Sequence, residues 1–260
     1  MVERLPLSVI ILARNEAVIL PNTIAALRFA NDIIVVDSGS TDDTKIVAEK
    51  AGARVVEELW PGDFSVLRNQ ADLHANYDWI LHIDADEVVT PELAEEIKRF
   101  FSDGLADQYL AARFPRKEKM FGKCIMHGGW YPQYKLRLYR KGSGIWEGRV
   151  HEAFKSSGEI YTFSSPIVHD SYKDIATFIS KFNSYSSLDA LDAFNKGKKF
   201  SFVKTFFQPF ERFIGRYFIH RGYRDGFHGF VIAAMIGFNY LLRNLKLWEH
   251  WYRSRSDRRG

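Results

Sequence analysis

Apolar runs alternate with helix-like periodicities along the first third of the chain. Runs of β-branched and aliphatic residues that end in polar residues predict buried strands. We expect strands at 7–13, 32–37, 53–58 and 78–84, with helices at 21–30, between 40 and 52, and at 63–74. Ser40 and Asp43 have the spacing of an N-terminal capping pair, and Gly52 can supply a left-handed stop. This strand-helix alternation predicts an α/β fold with parallel strands.

Acidic residues follow two of these strands directly. Asp37 ends the second strand and Asp84 the fourth, and Asp86 comes two positions later. Residues i and i+2 of a strand share a side, and ligands of open α/β sheets bind at the carboxyl edge of the strands. Converging carboxylates at that edge indicate a Mg²⁺ or Mn²⁺ site that accepts phosphate oxygens. The alternative is a charged strand-to-helix turn, in which Glu87 and Glu92 favour the N-terminus of a helix that Thr90 and Pro91 open.

Four segments occur in a characteristic order: SVIILARNEAVILPNTIAAL, IIVVDSGSTDDT, LRNQA and WILHIDADE. In this order they resemble glycosyltransferase family 2. The resemblance implies the GT-A fold, a single mixed and mainly parallel sheet flanked by helices, here with a C-terminal helical extension. It also implies an inverting enzyme that uses a nucleotide-sugar donor.

The resemblance also implies roles for individual residues. Asp37 would contact the base or ribose of the donor, and Arg68 and Asp84 its diphosphate. The start of the loop after the first strand would also meet the nucleotide; its residues are Arg14, Asn15 and Glu16. The metal, Mg²⁺ or Mn²⁺, would be held by Asp84, Asp86 and His169.

Two segments of the second half carry the candidate acceptor residues. In GRVHEAF, Glu152 is the candidate catalytic base and His151 a candidate acceptor ligand; the alternative is a surface glutamate on a loop. In HGGWYPQY, Trp130 and Tyr131 could stack on a sugar ring, and the alternative is a tight turn covered by aromatic packing. Alternating basic and apolar residues at 135–140 predict a half-exposed strand.

The sequence after His169 changes to helical stretches rich in aromatic and basic residues. Residues 200–220 have the composition of a helix at a membrane surface. Residues 227–242 are almost wholly apolar but fall short of the roughly 20 residues that cross a bilayer. The alternative is that the apolar face packs on the catalytic part. We therefore expect a catalytic domain at 1–170, with a donor half to about 100 and an acceptor half beyond it, and a membrane-associating extension at 171–260.

Composition adds three constraints. The formal net charge is +4 and there is a single cysteine, so no internal disulfide can form. No signal peptide is evident, which indicates a cytoplasmic catalytic part. The basic C-terminus comes with no recognised nucleic-acid motif, so we expect no nucleic-acid partner.

The segments GGWYPQYKLRLYRKG and VHEAF, together with the aromatic C-terminal region, resemble bacterial lipopolysaccharide core glucosyltransferases within family 2. The resemblance implies a metal-dependent hexosyltransferase that moves a hexose, with UDP-hexose as donor, to a hydroxyl of a lipid-linked glycan. It would lie at the cytoplasmic face of the bacterial inner membrane as a peripheral or monotopic protein. Two alternatives stay open: a polyprenyl-phosphate glycosyltransferase, which needs no base, and a non-catalytic membrane-bound module that recognises sugar nucleotides or glycans.

Overall fold

The computed structural model of the chain describes residues 4–148 and 152–256. These residues divide into two units. The first comprises the described parts of Met1–Arg116 and Gln133–His169, and the second those of Lys117–Pro132 and Asp170–Gly260.

Twelve strands lie within the described residues. In chain order they are β1 Leu5–Ala13, β2 Ala30–Asp37, β3 Arg54–Glu57, β4 Trp79–Asp84, β5 Glu87–Val89, β6 Ala111–Met120, β7 Lys123–Ile125, β8 Gln133–Arg140, β9 Gly144–Glu147, β10 Ala153–Ser156, β11 Ile160–Thr162 and β12 Ile167–Tyr172.

Seven α-helices accompany them. They are α1 Leu20–Ala25, α2 Thr44–Lys50, α3 Phe64–Ala71, α4 Pro91–Ser102, α5 Ile175–Asn195, α6 Phe202–Ile214 and α7 Phe227–Ser256.

The main sheet is mixed, as expected. Its strand order is β3-β2-β1-β4-β8-β6-β12-β5, with β7 and β11 pairing to β6, while β9 and β10 form a separate hairpin. The first four strands in this order run parallel, and β4–β8 and β8–β6 are antiparallel. Asp37 pairs with Ala13 of β1, and Asp84 with the adjacent Leu12. The two strand-terminal acids therefore flank β1 at one edge of the sheet.

The sheet core is apolar on both faces. Val9, Ile10 and Ile11 of β1 are fully buried although successive side chains point to opposite faces, so the strand is covered on both sides. On one face Phe100 of α4 packs its ring edge-on against Trp79, at 5.4 Å between centroids, and lies 5.5 Å from Phe163. These aromatic contacts attach α4 to the sheet.

Local details of the donor half differ from the expectations. The predicted capping pair is wrong: Asp43 is at the N-cap of α2 but makes no side-chain cap, and the Ser40 hydroxyl donates to Asp37 instead. The helix expected at 21–30 ends at Ala25, because Ala30 already begins β2. The predicted left-handed stop at Gly52 is confirmed, with φ +95°.

The second unit contains α5, α6 and α7. The apolar stretch expected to end near residue 242 belongs to a longer helix, since α7 continues for 30 residues to Ser256 through a segment without glycine or proline. Among the described helices, Phe227–Ser254 is long and apolar enough to cross a membrane by length and composition. A core helix of a soluble protein passes the same test, so this observation alone is weak evidence for a span.

Removing the ring of Phe100 should destabilise the first unit. Phe100 is 1% exposed, and a Phe→Ala change in such a site typically costs about 3–5 kcal/mol because it leaves a cavity. We expect Phe100→Ala to lower the free energy of unfolding by this amount in urea titrations. Leu59→Ala, at an 89% exposed position, is the control and should change it by less than about 0.5 kcal/mol. Equal effects of the two variants would contradict the packing described here.

Candidate active site

Asp84, the last residue of β4, lies between two arginines. Arg68 Nη2 donates to Asp84 Oδ1 at 2.6 Å, and Arg137 Nη2 donates to Asp84 Oδ2 at 2.6 Å. Burial alone would raise the pKa of Asp84, but the guanidinium groups of Arg137 and Arg68 outweigh it and hold this pKa well below its ordinary value. Asp84 is therefore ionised throughout the physiological pH range.

Arg68 connects this acid to Glu152. Its Nε and Nη2 donate to Glu152 Oε1 at 3.3 and 3.1 Å, although the two residues are 84 positions apart. Arg68 lies on the buried face of α3 and is 2% exposed. Both bonds involve Oε1, and Oε2 of Glu152 has no partner among the described residues. The structure thus brings Arg68, Asp84 and Glu152 together.

A buried chain of hydrogen-bonded polar side chains fixes Arg68 at its Nη1 atom. Arg68 Nη1 lies 3.2 Å from His82 Nδ1, and His82 Nε2 lies 2.7 Å from Asp72 Oδ1. An arginine can only donate, so Nδ1 accepts and Nε2 carries the proton that is donated to Asp72. Burial lowers the pKa of His82, which keeps the imidazole neutral. Tyr139 donates to Asp72 at 2.8 Å and accepts from Trp146 Nε1 at 2.7 Å.

Glu87 and Arg116 continue the charge network on the other side of Asp84. Glu87 is fully buried in β5; its Oε2 accepts from the Asp84 backbone at 3.0 Å and its Oε1 from Arg116 Nη1 at 3.4 Å. Arg137 Nη2 is 3.8 Å from Glu87 Oε1. The alternative in which Glu87 sits at the N-terminus of the following helix is therefore wrong, because Glu87 pairs within the sheet; Thr90 caps α4.

Asp86 and His169, two of the predicted metal ligands, lie next to each other. The strand ends at Asp84 and Asp86 lies in the turn before β5, so the i, i+2 strand argument does not apply to Asp86. Asp86 Oδ2 is instead 3.1 Å from His169 Nε2, which β12 brings opposite Glu87. The carboxylate and the imidazole face each other within the first unit.

The loops after β1 and β2 are tied together beside Asp37. Asn15, with φ +58°, donates its backbone N–H to Ser40 Oγ at 2.9 Å and accepts from the Thr41 N–H at 2.8 Å. Asp37 is 1% exposed and accepts from the Ser40 N–H at 3.0 Å. These bonds hold the predicted nucleotide-binding loop in one conformation.

Two further predicted nucleotide ligands lie in this loop. Arg14 is exposed, and the backbone N–H of Glu16 donates to Thr44 Oγ1 at 2.8 Å. Arg14 is thus exposed to solvent, and the loop that carries it is bonded at Glu16 to Thr44, the first residue of α2.

Of the three predicted acceptor residues, the structure describes two, Trp130 and Tyr131. Trp130 and Tyr131 belong to the second unit, where both are partly buried. Trp130 packs against an apolar cluster that includes Phe178, and Arg216 lies 5.8 Å from its ring. His151 falls outside the described residues.

The residues present fit a divalent metal in part. Asp86 and His169 supply an oxygen and a nitrogen, a ligand pair suited to Mn²⁺. Both oxygens of Asp84 accept from arginines, so Asp84 could join a metal only if an arginine moved. Among the described residues, no group of three or more histidines, cysteines and acids is arranged as a metal site.

Comparison with known proteins identifies the family. The family model described as Glycosyl transferase family 2 matches residues 8–151. The chain belongs to this family. It is a glycosyltransferase, and its mixed sheet flanked by helices is the GT-A fold that the sequence predicted.

Several relatives of this glycosyltransferase cover nearly its whole length. An uncharacterized glycosyltransferase of Rickettsia felis is 32% identical and aligns over 96% of this chain and 92% of its own. The lipopolysaccharide core biosynthesis glycosyltransferase LpsC of Rhizobium meliloti is 30% identical over 91% and 89%. Among solved structures, glucosyl-3-phosphoglycerate synthase of Mycobacterium tuberculosis, in complex with Mn²⁺, UDP and glucosyl-3-phosphoglycerate, is 26% identical over 43% and 44%, with a TM-score of 0.36.

Sequence reasoning missed Arg137 and the residues that support Arg68. Arg137 lies in the stretch predicted as a half-exposed strand, but it is 5% exposed, so the predicted alternation is wrong at this position. The guanidinium is buried because it meets Asp84. The adjacent apolar residues Leu138 and Tyr139, which point to opposite faces of β8, could have indicated in the sequence a strand covered on both sides. His82 lies inside the WILHIDADE segment but was assigned no role, and Asp72 belongs to none of the quoted segments.

Replacing Arg137 should lower the stability of the fold, because it removes one of the two arginines that pair with Asp84. For Arg137→Met we expect the free energy of unfolding to fall by about 2–3 kcal/mol, less than for a fully buried pair because Arg68 still neutralises Asp84 and the Asp84 side chain is 29% exposed.

A double-mutant cycle with Asp84→Asn measures the coupling. The second substitution should recover part of the loss, whereas additive effects would contradict direct pairing. Arg113→Met is the matched control, since this arginine lies on the neighbouring strand with an exposed side chain above Tyr134.

Proposed function

We propose that this glycosyltransferase is an inverting enzyme that moves a hexose from a nucleoside diphosphate sugar to a hydroxyl of a lipid-linked glycan. The observation that carries the proposal is that Arg68 joins Glu152, from the second half of the chain, to Asp84 at the end of β4. An inverting transferase requires a carboxylate close to the charged groups that would bind the donor diphosphate. The similarity to LpsC supports a role in lipopolysaccharide core synthesis.

The arginines support a diphosphate-bearing donor, with UDP-hexose as the proposed one. Arg137 Nη1 is buried and has no hydrogen-bond partner among the described residues. A buried donor without an acceptor is costly, and a diphosphate oxygen would satisfy it. Asp37 and the loop of Arg14, Asn15 and Glu16 would hold the nucleoside.

Asp86 and His169 would hold Mg²⁺ or Mn²⁺, whose chemistry is to neutralise the diphosphate as it leaves. In the described conformation Asp84 orients Arg68 and Arg137, and direct ligation by Asp84 stays a prediction. Removing a group that stabilises departing charge typically lowers the rate about 100- to 1000-fold.

Glu152 is the proposed base. Arg68 holds Oε1, which leaves Oε2 to accept the proton of the acceptor hydroxyl while the sugar–diphosphate bond breaks on the opposite face of the ring. Inversion at the anomeric carbon follows from this opposite-face displacement.

We propose that the enzyme acts at the cytoplasmic face of the bacterial inner membrane as a peripheral or monotopic protein. The support is the exposure of large aromatic residues along α6, including Phe202 and Phe207 at 76% and 62%. Apolar side chains in such number on a surface helix are typical of interfacial membrane binding.

The metal role is tested with Asp86→Ala in an assay of UDP release from a panel of nucleotide sugars. We expect hydrolysis or transfer from one sugar by the parent protein, loss of this activity with EDTA, and a decrease of about 100- to 1000-fold in the variant. Asp103→Ala, at an exposed position just after α4, is the control and should retain full activity.

Two results would contradict these roles. Full activity of Asp86→Ala would exclude Asp86 as a metal ligand. Binding of a nucleotide sugar without turnover, with any acceptor offered, would favour the non-catalytic module over the transferase.

The base is tested with Glu152→Gln, which keeps the acceptor oxygen for Arg68 but cannot take up a proton. We expect kcat to fall about 100- to 10,000-fold with an unchanged KM for the donor. Glu147→Gln, an exposed glutamate at the end of β9, is the matched control. Undiminished turnover of Glu152→Gln would exclude this base and favour a phosphate acceptor, which needs no deprotonation.

A further inference from the structure

A basic cleft lies within the second unit, between the loop after α5, the first half of α6 and the second half of α7. Its volume is about 460 Å³. Four cationic side chains line it, those of Lys198, Lys199, Lys204 and Arg243, and no carboxylate is among its lining residues. Four like charges around one cleft repel each other, so an anion bound there would be stabilised by all of them.

The N-terminus of α6 opens into the same cleft. Ser201 is the N-cap, and its hydroxyl accepts from the Lys204 N–H at 3.3 Å. The first N–H groups of a helix have no intrahelical partner, and the helix dipole places partial positive charge at this end. The 13-residue α6 therefore adds backbone donors to the four side-chain cations.

One residue that lines the cleft has an unsatisfied hydrogen-bond donor. The Nε atom of Arg243 is buried and has no hydrogen-bond partner in the described part of the chain. Next to it, Asn244 is 8% exposed and donates to Gln208 Oε1 at 3.0 Å, which fixes α7 against α6. Trp251 Nε1 donates to the Lys198 carbonyl at 2.9 Å and holds the lysine-bearing loop on α7. The cleft is thus built from fixed elements, and one of its lining residues, Arg243, has a buried N–H without an acceptor.

The surroundings of the cleft point to a lipid as the source of the anion. Val203, Phe207 and Phe210 follow an i, i+4, i+7 spacing on α6 and form one exposed stripe, and Phe207 is 62% exposed. Lys204 follows Val203 directly and lies one helical turn before Phe207, so Lys204 and Gln208 line the cleft along the border of this stripe. A helix that places an apolar stripe next to a cationic pocket matches a lipid, whose acyl chains and phosphate headgroup are adjacent.

We propose that the basic cleft binds the phosphate of an anionic lipid headgroup while the Val203, Phe207 and Phe210 stripe enters the lipid. The proposal deepens the membrane attachment proposed above and is independent of the transfer chemistry. It assigns the phosphate to Lys198, Lys199, Lys204, Arg243 and the first turn of α6.

The test is co-sedimentation of the full chain with phosphatidylcholine vesicles, with and without phosphatidylglycerol. We expect binding to the anionic vesicles, and a decrease of roughly ten- to thirty-fold in affinity for Lys199→Gln/Lys204→Gln. The control is Lys196→Gln/Arg253→Gln, which removes the same charge from exposed residues paired with Asp192 and Glu249. This control should lose less than about threefold.

Glycerol phosphate serves as a soluble competitor. It should displace the parent protein from anionic vesicles more strongly than sodium chloride of equal ionic strength. A diffuse attraction between charges would respond to ionic strength alone.

The outcomes separate the proposals. Equal losses for the two double variants would overturn the cleft as a site, since only net charge would matter. Glycerol phosphate that raises the thermal unfolding midpoint through Lys199 and Lys204, without any preference for anionic vesicles, would overturn the lipid as source. Absence of binding to every vesicle would overturn membrane attachment itself and leave the donor-hydrolysis assay of the transferase unaffected.

Discussion

The burial of Arg68 is the constraint on which the site depends. A guanidinium that is 2% exposed has lost its water, and the free-energy cost is acceptable only if its N–H groups find acceptors. These acceptors come from separate parts of the sequence: Asp84 and His82 from β4, and Glu152 from the segment before β10. Folding α3 onto the sheet therefore requires the site to assemble, and the site cannot lose one acceptor without leaving part of a buried charge unpaired.

The neutral state of His82 follows from the same constraint. A charged imidazole would place a second cation beside Arg68, and burial already disfavours it. The neutral ring can then accept from Arg68 and donate to Asp72, which Tyr139 and Trp146 fix in turn. Such prior arrangement matters for catalysis, because donors that are already oriented need no reorganisation when charge develops on a leaving diphosphate.

The sequence predicted the parts of this arrangement that have a period or a motif. Strands β1 to β4 and the acids that end β2 and β4 were readable, because a short apolar run that stops at a charged residue is typical of a buried strand reaching the sheet edge. The burial of Arg137 could not be predicted from the sequence. A basic residue in an alternating strand usually faces water, and only the tertiary pairing with Asp84 reverses this. The turn at Asp86 was missed for a similar reason: β5 forms through long-range pairing with β12, which no local pattern encodes.

Paired and unpaired cations distinguish the two sites of this protein. In the first unit Arg68, Arg116 and Arg137 each lie within 4 Å of an acid, so their charge is balanced before any ligand binds. In the second unit the four cations of the basic cleft have no carboxylate among the residues that line it. Balanced charge suits a site whose geometry must persist through a reaction cycle. Unbalanced charge of one sign raises the local positive potential and attracts anions, which is the physical basis for proposing a ligand in the cleft.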